Sequence, residues 1–327
     1  MTGDGVTGTG ALRFVFAAMV LGLWAVAAAQ PYPAGPVRII VSEVPTSLTD
    51  ISARLVALKL TDTLGRSVVI ENRAGAAGTI GTAEVAKAAP DGRTLLVVSG
   101  SHAINQHLYR NLRYDTVADL APVALLSRAP LVLVVNPNVP ARTVSELVQL
   151  AKARPGTVDF ATLGPGSPAR LLMEMLKLEA RVNVASVPYK GEAQALADLV
   201  GGRVDAMFQI VPGAAALVNG GRLRALAVTS DAPSAELPGV PVMKDSYPDF
   251  TAQFWVGMLA PAKTPPAIIA RLNTDVTMLL RSEELRTRFG NLGLETVGGT
   301  PGEFGQWIGR EMERWGRVIR SQGITIE

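Results

Sequence analysis

The regular alternation of short apolar strands with helices is the feature that most constrains how this chain can fold. Apolar runs predict strands at residues 37–41, 67–71 and 94–99, and helical spacing of apolar side chains predicts helices between them. Short connections rich in Gly and Pro separate these elements, and the same alternation continues towards the carboxyl terminus. This pattern is typical of a parallel sheet with helices on its faces, so we predict an α/β fold.

The number and order of the strands predict two doubly wound α/β lobes joined by a hinge. We expect the chain to cross between the lobes near Ser127–Pro130 and to return near Thr251–Phe254. Residues 30–128 plus 255–327 would then form lobe 1, and residues 129–254 would form lobe 2. In such an arrangement the carboxyl ends of the strands face each other across a cleft, where a ligand binds.

The amino terminus has the features of an export signal. Residues 14–29 are uncharged and apolar, follow Arg13, and end in Ala27–Ala29, which fits the small-residue rule for cleavage. A membrane anchor needs about 20 apolar residues, and this run is shorter. We therefore predict a signal peptide at residues 1–29 that is cleaved near Ala29, and no stable membrane insertion of the mature protein.

Composition excludes several function classes. The net charge of +3, the lack of a Lys/Arg-rich run and an aromatic content of 5% argue against binding of nucleic acid. The chain has no cysteine, which excludes disulfides and thiolate metal ligands. Its two histidines, His102 and His107, are five residues apart and would not face one metal ion from the same side of a helix. We expect neither a metal nor a cofactor.

The stretch Val158–Leu172, VDFATLGPGSPARLL, is the strongest candidate for a binding site. It predicts a short strand, a Gly-Pro-Gly loop, and a helix with Ser167 as its N-cap and Pro168 at its first position. The first N–H groups of a helix lack partners within it, and the helix dipole adds partial positive charge there. This local structure would suit a carboxylate or a phosphate, although an ordinary strand–helix turn has the same pattern.

Two further patterns raise the question of catalysis or nucleotide binding. Ser101 and His102 are neighbours, which rarely orients a nucleophile towards its base, and no G-x-S-x-G motif is present. Gly75, Gly78 and Gly81 follow a strand, but their spacing departs from the dinucleotide-binding motif G-x-G-x-x-G. We interpret Ser101 and His102 as polar groups of a cleft or a helix cap, and the glycines as turn residues.

Several longer segments carry a more specific signal than any single motif. Among them are VVIENRAGAAGTIGTAEVAKAAPDGRTLL, LVVNPNVPARTVSELVQLAKARPG and FWVGMLAPAKTP. In this order they resemble the Bug family, the substrate-binding receptors of tripartite tricarboxylate transporters, over residues 32–327. The resemblance implies a hinged periplasmic binding protein of type II and not an enzyme. It also implies a small carboxylate ligand (a di- or tricarboxylate, an amino acid or an aromatic acid) and membrane transporter subunits as partners.

The ligand contacts of this family come mainly from loops and helix starts. Carried over position by position, the resemblance implies ligand contacts at Pro45, Thr46, Ser47, Thr49, Asp50, Ser101, His102, Thr162, Gly164, Gly166, Ser167, Arg170, Tyr189, Lys190 and Gln209. We expect the N–H groups of Gly166 and Ser167 to hold one carboxylate. Hydroxyls of Thr46, Ser47 or Ser101 would assist, and Lys190 and Arg170 are the candidate counter-charges.

The chain departs from the family pattern at positions that bear on the ligand. Thr46 and Ser47 replace a usual Gly-Gly pair and bring side chains into the space that glycines leave open. Glu43 adds a negative charge that would repel an acid unless it points outward, and Gln209 stands where an acidic residue is frequent. Arg170 could either grip a carboxylate with its planar fork or remain solvated. These departures predict an altered ligand or weakened binding.

Two alternatives to a transport receptor remain open at this point. One is an exported hydrolase that uses Ser101 and His102. The other is a receptor retained for sensing, which passes its closed state to a membrane kinase.

Overall fold

A mixed sheet of ten strands forms the centre of the computed structural model, which describes residues 32–164 and 166–324. The predicted signal peptide and its cleavage site lie outside these residues. The strands are β1 (Val37–Val41), β2 (Val68–Asn72), β3 (Thr94–Ser99), β4 (Leu120–Val135), β5 (Asp159–Thr162), β6 (Ala185–Pro188), β7 (Ala206–Ile210), β8 (Arg224–Val228), β9 (Gln253–Pro261) and β10 (Glu295–Gly298).

Helices cover this sheet and connect most of its strands. They are α1 (Leu48–Leu64), α2 (Thr79–Ala86), α3 (Ser101–Leu108), α4 (Val144–Ala153), α5 (Pro168–Ala180), α6 (Glu192–Val200), α7 (Val211–Asn219), α8 (Pro266–Leu280), α9 (Glu283–Gly290) and α10 (Pro301–Gln322). Within the described ranges, no helix combines the length and the apolar character needed to cross a bilayer.

The strand order divides the sheet into two halves around β4 and β9. The order is β2-β1-β3-β9-β4-β7-β5-β6, and both β8 and β10 pair with β4. In the first half β1 runs parallel to β2 and β3, and in the second half β5 runs parallel to β6 and β7. The segments that follow parallel strands therefore lie side by side at one edge of each half.

The predicted α/β class is confirmed, and the centre of the sheet adds antiparallel pairings to the parallel pattern that the sequence indicated. Strand β9 is antiparallel to both β3 and β4, and β4 is antiparallel to β7. The short strand β10, which pairs with β4 in the antiparallel sense, was not predicted. Four residues of moderate hydrophobicity give too weak a periodic signal to separate such a strand from a loop.

The first predicted crossing between lobes lies within strand β4, and the second lies at the start of strand β9. Strand β4 pairs with β9 as far as Pro130 and Gln253, and it pairs with β7 from Leu131 onward. From Gly35 onward the chain forms one compact unit. The division into residues 30–128 plus 255–327 and residues 129–254 stays a prediction.

Candidate functional site

A cavity of about 390 Å³ opens where the segments that follow the parallel strands of the two halves come together. This volume lies within the range of small-molecule sites, roughly 300–1,000 Å³. The segments after β1, β2 and β3 contribute Ser42, Glu43, Val44, Ala74, Gly75, Ala77, Gly78, Ser99 and Ser101. The second half contributes Leu163, Gly166, Ser167, Pro168, Ala169, Glu192, Met207, Phe208, Gln209 and Ile210, and Leu131 and Phe254 come from the central strands.

The amino terminus of α5 enters this cavity, as the sequence predicted. Ser167 is the N-cap, and its Oγ accepts a hydrogen bond from the N–H of Arg170 at 3.2 Å. Pro168 occupies the first helical position, where its missing N–H has no cost. Local sequence chemistry alone therefore fixes the start of the helix.

The donors available at this helix start differ from the predicted pair. The N–H of Ser167 donates to the carbonyl oxygen of Gly164 at 2.9 Å, so it is not free for a ligand. Among the described residues, the N–H groups of Gly166 and Ala169 have no acceptor. Both residues line the cavity. The ligand contact of Gly166 stays a prediction, and the N–H of Ala169 is a second candidate donor in place of the N–H of Ser167.

Glu43 faces the cavity and does not point outward. The Ser99 hydroxyl donates to Glu43 Oε1, and the hydroxyls of Ser99 and Ser101 are 2.9 Å apart. The amide of Asn72 donates to the carbonyl oxygen of Glu43 at 3.1 Å, which holds the backbone of this loop. A short hydrogen-bonded chain thus orients the Glu43 carboxylate from the end of β3.

A second carboxylate lies on the opposite half of the lining. Glu192 begins α6, and its Oε1 accepts a hydrogen bond from Gln209 Nε2 at 2.7 Å. Gln209 is buried, and its own Oε1 accepts from the N–H of Ile210 at 2.7 Å. Gln209 therefore lines the cavity with its amide N–H bonded to Glu192, and its predicted ligand contact stays a prediction.

Arg170 does not face this cavity. Its Nη2 forms an ion pair with Glu174 Oε1 at 2.7 Å, and its Nη1 donates to the hydroxyl of Ser186 at 2.7 Å. Together with Gly164 and Tyr189 it lines a separate cavity, also of about 390 Å³. Arg170 does not line the main cavity because the buried Glu174, one turn along the helix, holds the guanidinium, and its role as a counter-charge stays a prediction.

The loop after β1 also lies differently from the prediction. Pro45 and Thr46 are exposed, and none of Pro45, Thr46, Ser47, Thr49 and Asp50 lines the cavity. The Ser47 hydroxyl instead caps α1 by accepting from the N–H of Asp50 at 3.2 Å. Asp50 is buried and accepts from the N–H of Thr46 at 2.9 Å. These side chains stabilise the loop, and Glu43 rather than Thr46 or Ser47 is the part that faces the cavity.

Three other predicted residues also lie away from the lining. Lys190 is exposed, and Thr162 is buried, with its hydroxyl 2.8 Å from that of Ser186. His102 is buried in α3, where its ring stacks against Tyr114 at a centroid distance of 6.4 Å. Adjacent residues of a helix point in different directions, so Ser101 reaches the cavity while His102 faces the core.

Burial lowers the pKa of His102 from 6.5 to about 4, although a backbone contact at Thr116 opposes the shift. The folded state keeps this histidine neutral. The stability that depends on neutral His102 is therefore fully present above pH 6.5 and is lost as the pH falls towards 4. We expect the wild type to lose about 2–3 kcal/mol more unfolding free energy between pH 7.5 and 4.5 than a His102→Gln variant. Urea unfolding at both pH values measures this difference, and equal losses in the two proteins would contradict it.

Several cavity residues were missed because their places depend on strand pairing. Ala74, Ala77 and Gly78 follow β2 and line the cavity. They lie near the loop after β1 because β2 pairs with β1, and the spacing of residues along the chain does not show this pairing. Gly75 and Gly78 have φ angles of +128° and +89°, which agrees with their interpretation as turn residues. A Cβ at Gly78 would lie 3.0 Å from the Ser42 hydroxyl, so this turn also packs closely against the loop after β1. The general rule that ligands bind at the carboxyl ends of neighbouring parallel strands could have pointed to these residues.

Comparison with known proteins finds relatives that match most of the chain. A family model described as the tripartite tricarboxylate transporter family receptor matches residues 52–324. Protein BugT of Bordetella pertussis is 39% identical over 309 residues, which are 94% of this chain and 95% of that protein.

Two solved structures with bound acids have the same fold. The structure of R. palustris Rpa4515 with adipate has a TM-score of 0.77 and 33% identity, and the match covers 90% of this chain and 100% of that one. MatC from Rhodopseudomonas palustris with bound malate has a TM-score of 0.74 and 31% identity, covering 88% and 100% of the two chains.

Proposed function

Because the chain belongs to the tripartite tricarboxylate transporter receptor family, we propose that it captures a small carboxylate in its cavity for delivery to membrane transporter subunits. The family consists of solute-binding receptors and not of enzymes, which confirms the predicted class and removes the hydrolase alternative. The burial of His102 away from the cavity is in line with this assignment.

One observation carries the ligand class. Gly166 and Ala169, at the start of α5, line the cavity, and their N–H groups have no acceptor among residues 32–164 and 166–324. The positive end of the helix dipole lies at the same place. The hydroxyl of Ser167 accepts from Arg170, so its hydrogen is left to donate towards the cavity. A carboxylate at this position would receive several hydrogen bonds without any cationic side chain. The adipate and malate bound by two structural neighbours are acids of a size that suits about 390 Å³.

The proposed receptor acts outside the cytoplasm. We place it in the periplasm after removal of residues 1–29 near Ala29, on the basis of the apolar run at residues 14–29 and the family. The predicted lobes, residues 30–128 plus 255–327 and residues 129–254, would close over the ligand by bending at the central strands β4 and β9. The closed form would then be the one that the membrane subunits recognise.

A thermal-shift screen over small organic acids tests the proposal. A ligand that binds only the folded state stabilises it by about 2.7 kcal/mol at a hundred times its dissociation constant, so the melting temperature should rise by about 5 °C. Sodium chloride at matched ionic strength is the control. If no carboxylate raises the melting temperature above that control, the proposed function is wrong.

A further inference from the structure

The main cavity has an unusual balance of charge for a site that receives an acid. Two of its lining residues, Glu43 and Glu192, are carboxylates, and none of the lining residues is Lys, Arg or His. Neither carboxylate forms an ion pair with a cation of the described chain. Any ligand that enters the cavity must therefore be compatible with two negative side chains that pair with no cationic side chain of the described residues; Glu192 is favoured only by its place at the positive end of α6.

Three cations near the cavity are committed to other partners, and Lys190, two residues before Glu192, is exposed and does not line the cavity. Arg170 is held by Glu174, and Arg54, on α1, donates to Asp50 Oδ2 at 2.9 Å. Arg73, which immediately precedes the loop lining the cavity, pairs with Glu71 at 2.9 Å and with Glu84 at 3.1 Å. These ion pairs leave the positive ends of helices as the cationic features of the lining, because α3, α5 and α6 begin at the lining residues Ser101, Pro168 and Glu192.

Each of the two carboxylates is oriented by a buried neutral donor. Ser99, which is 6% exposed, donates to Glu43 Oε1, and Gln209, which is 3% exposed, donates to Glu192 Oε1. The second oxygen of each group, Oε2, has no donor among residues 32–164 and 166–324. A carboxylate can accept about four hydrogen bonds, so both groups keep capacity for a ligand.

From this arrangement we infer that the ligand carries a protonated amine in addition to its carboxylate, and that Glu43 and Glu192 select for it. This inference rests on the proposed function, in which the start of α5 holds the carboxylate. The amine would donate to the open oxygens of Glu43 or Glu192 and would neutralise charge that no cation of the described chain offsets. A second carboxylate in the same position would be repelled, which would disfavour the di- and tricarboxylates that the family name suggests.

Matched six-carbon probes separate the charge of the end group from size. Calorimetric titration would compare hexanoate, adipate, and the isomers 6-aminohexanoate and 2-aminohexanoate, with butyrate, succinate and 4-aminobutyrate as a shorter series. We expect at least one amino acid to bind about tenfold tighter than the plain acid and the diacid of equal length. Tighter binding of adipate or succinate than of every amino acid would overturn the inference.

Glu43→Gln and Glu192→Gln assign the preference to these residues. Both changes keep the shape of the side chain and an oxygen that can accept from Ser99 or Gln209. We expect one or both to reduce the advantage of the amine to about threefold or less and to strengthen binding of the diacid. Glu313→Gln, an exposed change on α10, is the matched control and should leave the preference unchanged.

The outcomes distinguish this inference from the function on which it rests. Binding of plain acids with no gain from an amine overturns the inference and leaves the receptor function standing. An amine preference that survives in both Gln variants also overturns it. Failure of all probes, together with failure of the wider acid screen, overturns both.

Discussion

A Ser167→Asp variant is expected to bind carboxylates at least about a hundredfold more weakly than wild type while its fold stays as stable. Asp is as good an N-cap as Ser, so it should still accept from the N–H of Arg170 and keep α5 in place. Its charge, however, would lie where the carboxylate of the ligand is proposed to bind. Two like charges about 4 Å apart at a protein surface repel by roughly 4 kcal/mol. A hundredfold loss of affinity requires only about 2.7 kcal/mol.

Ser167→Asn is the matched control for this experiment. Asn caps a helix as well as Asp does and has nearly the same shape, but it carries no charge. Calorimetric titration with an acid that stabilises the wild type measures both variants, and thermal unfolding verifies that both fold. Equal affinities of the Asp and Asn variants would show that the carboxylate does not bind at the start of α5.

A Glu311→Ala variant is expected to lose about 3–5 kcal/mol of unfolding free energy. Glu311 is buried on α10, and its Oε2 accepts from the indole N–H groups of Trp255 at 3.2 Å and Trp315 at 3.1 Å. Its Oε1 is in contact with the guanidinium of Arg314. Truncation to Ala leaves two buried N–H donors unsatisfied and a partly buried cation unpaired, and both of these cost free energy.

Urea unfolding of Glu311→Ala, Glu311→Gln and the exposed control Glu313→Ala measures this contribution. The Gln variant retains an acceptor oxygen and should lose less than the Ala variant, and the control should stay within about 0.5 kcal/mol of wild type. An unfolding free energy of Glu311→Ala equal to that of the control would contradict the assignment. The substitution should also affect the cavity lining, because the Trp255 indole lies against Gly100, which immediately precedes the lining residue Ser101.

Local chemistry made part of the site predictable. The cap at Ser167 and the proline at position 168 specify the start of α5 without help from the rest of the chain, and the structure has both as predicted. The engagement of Arg170 by Glu174 was also within reach of the sequence. An acidic residue four positions further along a helix is a regular partner for an arginine.

The direction of the Glu43 side chain depends on distant parts of the chain, so the sequence alone did not determine it. Its carboxylate accepts from Ser99, which is 56 positions away, and the two residues meet only because β1 pairs with β3. Glu192 likewise meets Gln209 across the second half of the sheet. The spacing of residues along the chain does not show such contacts. The two carboxylates of the cavity could therefore be identified only once the pairing of the strands was known.

A crystal structure of the complex with a carboxylate that raises the melting temperature is the most direct test. We expect carboxylate oxygens about 3 Å from the N–H groups of Ala169 and Gly166, at the start of α5. A carboxylate bound to Arg170 in the neighbouring cavity, or one with no contact to the first turn of α5, would contradict it.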